Sequence, residues 1–172
     1  MINKIKKIIS ENKIDGYVVP KNDEYFTEYS KESNLKTVAN FTGSAGFAII
    51  LKKKNYLFVD GRYTIQARKQ SGKNFSIYEI PTTWPKNVFK KLNQNLKIGF
   101  NPKLFTSSTL FKYFESSCDL TPINIDIFKK KKNKISSENH FFSLNEKVVG
   151  KKATSKINNV IYLLKKKKIN IY

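Results

Sequence analysis

Arginine, histidine and cysteine are almost missing from this chain, and acidic residues are few. Two Arg (Arg62 and Arg68), one His (His140) and one Cys (Cys118) stand among 172 residues, and 13 Asp and Glu face 33 basic residues. A single Cys excludes an internal disulfide and fits a reducing compartment, so the expected location is cytoplasmic. No apolar run approaches the roughly 20 residues that a membrane-spanning helix needs, so no membrane is expected as a partner. The opening Met1-Ile2-Asn3-Lys4-Ile5-Lys6-Lys7 interleaves Lys with Ile and does not read as a signal peptide.

A formal charge of +20 invites a nucleic-acid reading. The shortage of Arg speaks against it, because base and phosphate readers favour the planar guanidinium fork over the Lys point charge. The Lys residues are also spread along the chain, with the densest runs at Lys129–Lys132 and Lys165–Lys168. Nineteen Ile and 18 Asn accompany them, a bias that AT-rich coding would produce. Weak attraction to polyanions and no specific nucleic-acid partner are expected. Hydrophobic residues make up 40% of the chain, with 13 Phe, 9 Tyr and one Trp, enough for a packed core.

Hydrophobic spacing organises the first 128 residues into alternating helices and strands. Ile2, Ile5, Ile8 and Ile9 lie at helical spacing, Asp15-Gly16 ends that helix, and Tyr17-Val18-Val19 reads as a buried strand stopped by Pro20. Lys21–Tyr29, with Asp23, Glu24 and Glu28, reads as a solvated loop with a helical turn, and Thr37–Phe41 as a strand. Phe47–Leu51 and Tyr56–Val59 flank a tight charged turn and form the clearest hairpin. A helix through Arg62–Gln70, a strand at Ser76–Ile80 and a helix near Lys86–Leu92 opened by Trp84-Pro85 follow. Lys97–Phe100 is again strand, Thr106–Phe114 helix and Leu120–Ile123 strand. The pattern predicts an α/β fold, a mixed β-sheet flanked by helices. Residues 129–152, charged and poor in apolar anchors, read as a linker.

The last segment repeats the first. Ile157, Val160, Leu163 and Leu164 match Ile2, Ile5, Ile8 and Ile9, and Ile169, Asn170 and Tyr172 match Ile14, Asp15 and Tyr17, at an offset of 155 residues. Residues 153–172 are therefore expected to open a second domain of the same kind that the chain leaves unfinished.

Several motifs now fall into one order: Asp15–Pro20, Asp23-Glu24, Phe41-Thr42-Gly43-Ser44-Ala45-Gly46, Asp60-Gly61-Arg62-Tyr63 with Gln66-Ala67, and Lys97–Pro102. Together they resemble the first domain of the Xaa-Pro aminopeptidase (aminopeptidase P) branch of the creatinase/prolidase family. Asn40 and Asn101 stand where Gly and Asp are common in that family, and Tyr25 where His is common. The resemblance implies a longer parent with two creatinase-like N-terminal domains and a C-terminal catalytic domain. That domain would hold two divalent metal ions, usually manganese, and cleave peptides with proline at the second position. It also implies a homodimeric parent. This chain would be the non-catalytic N-terminal part, without cofactor and without peptidase activity. The metal centre so implied needs two Asp, one His and two Glu, with further His residues beside the substrate. This chain has a single His, His140, in the stretch read as linker, so it is not expected to assemble that centre.

The candidate site consists of Phe41, Gly43, Ser44 and Gly46 in the first motif and Asp60, Gly61, Arg62 and Tyr63 in the second. Gly43 and Gly46 permit a tight connection or a close approach, toward the active-site mouth of the parent or into the next strand. Asp60 can accept the free amides of the following helix, and Arg62 is expected to bridge a carboxylate or carbonyls between neighbouring elements. Neither Ser44 nor Cys118 has a base beside it in sequence, so no nucleophile is assigned. The alternative from a different class is a peptide- or protein-binding module with this fold and no catalysis.

Overall fold

The computed structural model of the chain describes residues 1–27, 33–92, 95–125, 127–128 and 143–167. These divide into two compact units, Met1–Lys129 and Lys130–Tyr172.

In the first unit a helix α1 (Ile2–Glu11) leads into strand β1 (Gly16–Pro20). A short helix α2 (Asn34–Ala39) precedes the hairpin β2 (Gly46–Leu51) and β3 (Asn55–Asp60). A 3-10 turn (Gly61–Tyr63) runs into α3 (Thr64–Ser71), then β4 (Ser76–Ile80), α4 (Pro85–Leu92) and β5 (Lys97–Phe100). Helix α5 (Ser107–Phe114) and strand β6 (Asp119–Pro122) complete the unit. The six strands form one sheet in the order β4-β3-β2-β1-β5-β6. Both pairings of β2 are antiparallel, while β3–β4, β1–β5 and β5–β6 are parallel. The mixed sheet expected from the sequence is the sheet observed.

Alternation along the central strands divides the core between two faces. Tyr17 and Val19 of β1, Ala48 and Ile50 of β2, and Leu57 and Val59 of β3 meet Ile5, Ile8 and Ile9 of α1, Leu35 and Val38 of α2, and Ala67 of α3. Val18, Phe47, Ile49, Tyr56, Phe58 and Ile98 turn to the opposite face, against Val88 and Phe89 of α4 and Leu110 and Phe114 of α5. Each large apolar side chain so buried stabilises the fold by about 1.5–3 kcal/mol.

The second face carries a stack of rings. Tyr78, Phe58, Phe47, Tyr113 and Trp84 follow one another with centroids 5.4, 5.0, 4.0 and 5.6 Å apart and interplanar angles below 30°. Burial pushes the Tyr113 phenol up to about 12. Trp84 is the helix-start anchor the sequence indicated: its amide donates to Asn87 Oδ1 at 2.9 Å, and the Lys112 ammonium lies 5.1 Å from its ring.

Asp15 fastens the junction below β1. Its amide donates to the Lys97 carbonyl, its carboxylate accepts from the Lys97 amide at 3.0 Å, and Lys52 Nζ donates to it at 2.8 Å. One side chain thereby ties the end of α1 to β5 and to the hairpin turn. The hydrogen bond from Lys52, then that from the Lys97 amide, holds its carboxyl below the ordinary carboxylate range.

The strand expected at Thr37–Phe41 is instead helix α2, Asn34–Ala39. Thr37 and Val38 favour a strand by propensity, but Leu35, Val38 and Ala39 present one apolar helical face to the core. Ser33 caps the helix by accepting from the Lys36 amide at 3.2 Å, and Asn40 ends it in the left-handed region with φ 57°. That conformation explains how Asn serves at a place where Gly is common. Asn101 caps the 3-10 turn Pro102–Leu104, its side chain accepting from the Lys103 amide at 3.0 Å.

In the second unit, the stretch read as linker contains a single turn of helix, α6 (Glu146–Val149), capped by Asn145. Helix α7 (Ala153–Lys166) follows. Residues 129–142, and the matched positions Ile169, Asn170 and Tyr172, lie outside the described residues.

Two outcomes follow from the packing. Phe58→Ala removes the second ring of the stack and is expected to cost about 3–5 kcal/mol, read from urea unfolding followed by Trp84 fluorescence. Because the Asp15 carboxyl is depressed in the folded state, its contribution is present above its unfolded value of about 3.9 and is lost as pH falls through the folded value. The wild type should therefore lose stability more steeply than Asp15→Ala on acidification below about pH 4, measured as urea midpoints across that range.

Candidate functional site

The two motifs singled out in sequence lie on neighbouring connections. Phe41–Gly46 joins α2 to β2, and Asp60–Tyr63 joins β3 to α3. The hairpin between them brings the motifs together, because Gly46 stands opposite Val59 in the β2–β3 register.

Asp60 acts as the sequence indicated, its Oδ1 accepting from the Arg62 amide at 3.0 Å. The same oxygen accepts from Arg62 Nε at 2.8 Å, so Arg62 holds a carboxylate of its own turn. The Arg62 hydrogen bonds hold the Asp60 carboxyl below its ordinary value. The guanidinium also lies 5.5 Å from the Tyr63 ring centroid, within cation–π range.

Tyr63 makes the link between the motifs. Its ring meets that of Phe41 edge-on, with centroids 6.0 Å apart, and its hydroxyl is 2.8 Å from Ser44 Oγ. Phe41 is fully buried, so it anchors the loop while Ser44 and Tyr63 remain half-buried above it. Gly43 packs against the Phe41 ring, where a Cβ would come within 2.3 Å of Cζ. A Cβ at Gly46 would come within 2.7 Å of the Phe58 carbonyl oxygen, a backbone atom that cannot give way. Both glycines are therefore demanded by close approach.

Residues outside the sequence-derived set complete the arrangement. Gln66 Nε2 and Gln70 Nε2 both donate to Thr42 Oγ1, at 2.8 and 2.9 Å, and the Thr42 amide donates to Gln70 Oε1 at 3.0 Å. Ser71 Oγ, buried, donates to the Ala39 carbonyl at 2.6 Å. The signal for this network was the helical i, i+4 spacing of Gln66 and Gln70, which places both amides on one side of α3. Thr42 carried no such signal.

The site is thus a loop stapled to a helix start, presenting hydroxyls, amides and an exposed guanidinium. These groups can orient a polar partner by hydrogen bonds. Among the described residues no group of three or more His, Cys, Asp and Glu is gathered closely enough to hold a metal ion. His140 and Glu28 lie outside the described residues. Asp23 closes its own loop, accepting from the Tyr25 and Thr27 amides at 3.0 Å each. Cys118 is buried against α4 and α5, and burial, then the Asp119 charge, pushes its thiol up to about 12. No helix among the described residues is long and apolar enough to cross a membrane.

The architecture defines a class: a mixed six-stranded sheet with helices on both faces and a Gly-rich loop locked against a strand-to-helix turn. Residues 1–128 match the Creatinase/Prolidase N-terminal domain model, and the chain belongs to that family. It is similar to a probable Xaa-Pro aminopeptidase P of Coprinopsis cinerea, 29% identical over 173 residues that cover 91% of this chain and 27% of that protein. A protein of the same description from Laccaria bicolor is 30% identical over 182 residues, covering 96% of this chain and 28% of its own length. Among solved structures, the X-prolyl aminopeptidase of Caenorhabditis elegans, a cytosolic enzyme with a di-nuclear active site, superposes with a TM-score of 0.68 at 22% identity. That match covers 97% of this chain and 31% of the other. The chain spans little more than a quarter of these two curated relatives.

The link between the motifs is open to measurement. A double-mutant cycle with Ser44→Ala and Tyr63→Phe is expected to give a coupling of about 0.5–1.5 kcal/mol in unfolding free energy.

Proposed function

We propose that this chain is the non-catalytic N-terminal part of an Xaa-Pro aminopeptidase, a hydrolase that removes an N-terminal residue preceding proline. The observation that carries this reading is the extent of the match. The similarity runs across 91% and 96% of the chain, well past the family domain, onto proteins named for that activity. In this proposal the linked Phe41–Gly46 and Asp60–Tyr63 segments shape access to the active site and limit substrate length. Contacts within a homodimer belong to the same proposal, as does a cytoplasmic location.

The chemistry would come from outside this chain. Two divalent metal ions, with manganese as the expected metal, would activate water for hydrolysis in a catalytic domain. The described residues do not fit those ions, since no cluster of ligating side chains is present among them. What this chain contributes is positioning.

Helix α7 fits the opening of a second domain of the same kind. In α1, Ile5 and Ile8 are buried, whereas their counterparts Val160 and Leu163 are 54% and 46% exposed, beside Ile157 at 57%. A helix with that face is built to be covered, as α1 is covered by its sheet.

The complete gene product loaded with Mn2+ is expected to release the first residue of Xaa-Pro peptides, and the 172-residue chain alone to release none. A complete gene product that binds such peptides without cleaving them would replace the enzyme reading with the binding-module reading.

A further inference from the structure

The two edges of the sheet are unlike each other. At one end lies β6, a four-residue strand that finishes in Pro122. At the other lies β4, Ser76-Ile77-Tyr78-Glu79-Ile80, with β-branched and aromatic residues and neither Lys nor Pro inside the strand. Edge strands are usually blunted by Lys or Pro, and this chain has 31 Lys to spend. None is spent here. Among the described residues, β4 pairs only with β3.

The backbone groups on the outer side of β4 form a self-complementary set. The Glu79 carbonyl accepts from the Thr83 amide at 2.8 Å, so Glu79 turns its backbone groups away from β3. Ile77, two residues earlier, turns the same way, because backbone direction alternates along a strand. Phe75 follows the same alternation, and its amide is taken by the Ser71 carbonyl at 3.0 Å. Among the described residues, the outward groups left over are the amide and carbonyl of Ile77, the amide of Glu79 and the carbonyl of Phe75.

We propose that β4 pairs antiparallel with β4 of a second copy of this chain, with Ile77 on the two-fold axis. In that register the two Ile77 residues exchange both of their bonds, and each Glu79 amide donates to the Phe75 carbonyl of the other copy. The groups already used, the Phe75 amide and the Glu79 carbonyl, fall opposite one another. Free groups thus meet free groups, and satisfied groups meet satisfied groups, which is what a two-fold contact between identical strands requires. Exposed Ser76 stands opposite Tyr78 of the other copy, and the two Glu79 carboxylates are kept apart by the register. The result is a continuous sheet through two chains, with Ile77 beside Ile77 on the face that carries α1 and α3. This pairing does not rest on the peptidase reading.

Two chains of formal charge +20 repel, so association should strengthen as salt screens them. Sedimentation velocity of the 172-residue chain, from micromolar to several hundred micromolar, is expected to show a monomer–dimer equilibrium that shifts toward dimer at about 0.5 M NaCl. Ser76→Lys places a charge near the axis and should weaken the dimer about tenfold or more, with an unchanged circular dichroism spectrum. Ser76→Cys should yield a covalent dimer with a bismaleimide of about 8 Å reach, because the two positions are diagonal neighbours across the axis. Ser108→Cys, exposed on α5, should yield none. A chain that stays monomeric at every concentration and salt overturns the proposal. So does a dimer that Ser76→Lys leaves intact, or Ser76→Cys chains that crosslink no better than Ser108→Cys.

Discussion

Burial of β1 on both faces is the constraint from which the rest of the first unit follows. Gly16–Pro20 is buried at every position, with β2 antiparallel on one side and β5 parallel on the other. A strand covered on both faces needs helices above and below, and the chain supplies α1, α2 and α3 for one face and α4 and α5 for the other. Asp15, immediately ahead of the strand, sets where β5 and the hairpin turn meet it.

The same frame determines where the candidate site can be. The loop before β2 and the turn after β3 both emerge at the open end of the β2–β3 hairpin, opposite its turn, and so become neighbours. Phe41 inserts between them as a buried wedge, and Tyr63 closes over it. Ring packing holds the loop from beneath, while Thr42, Gln66 and Gln70 hold it from the side. A loop fastened in two ways carries polar groups with little freedom to move.

Much of the fold was legible because its signals are local. The hairpin, the strands Ser76–Ile80 and Lys97–Phe100, and the helix capped by Thr106 each rest on periodicity plus a nearby turn or cap. Helix α2 was not legible in the same way. Its Ser33 cap precedes the apolar positions, and Thr37-Val38 carry a strand propensity that core packing of Leu35, Val38 and Ala39 overrides. In the site, the glycines and the Asp60 cap were readable from residue type. The pairing of Arg62 with Asp60 was not, since a carboxylate within the turn and one elsewhere look alike in sequence.

By itself, then, the sequence determined the elements that depend on neighbours along the chain: amphipathic faces, caps, turns and the order of motifs. It also determined the family, because the two Gly-containing motifs occur with the right order and separation. Tertiary structure alone decided which connections meet, that Ser44 finds Tyr63, and that five aromatic rings from β2, β3, β4, α5 and the start of α4 stack in one row. It alone decided which backbone groups of β4 are left over at the sheet edge. These contacts join residues far apart in sequence, and their partners are chosen by sheet order and register, which no local pattern encodes.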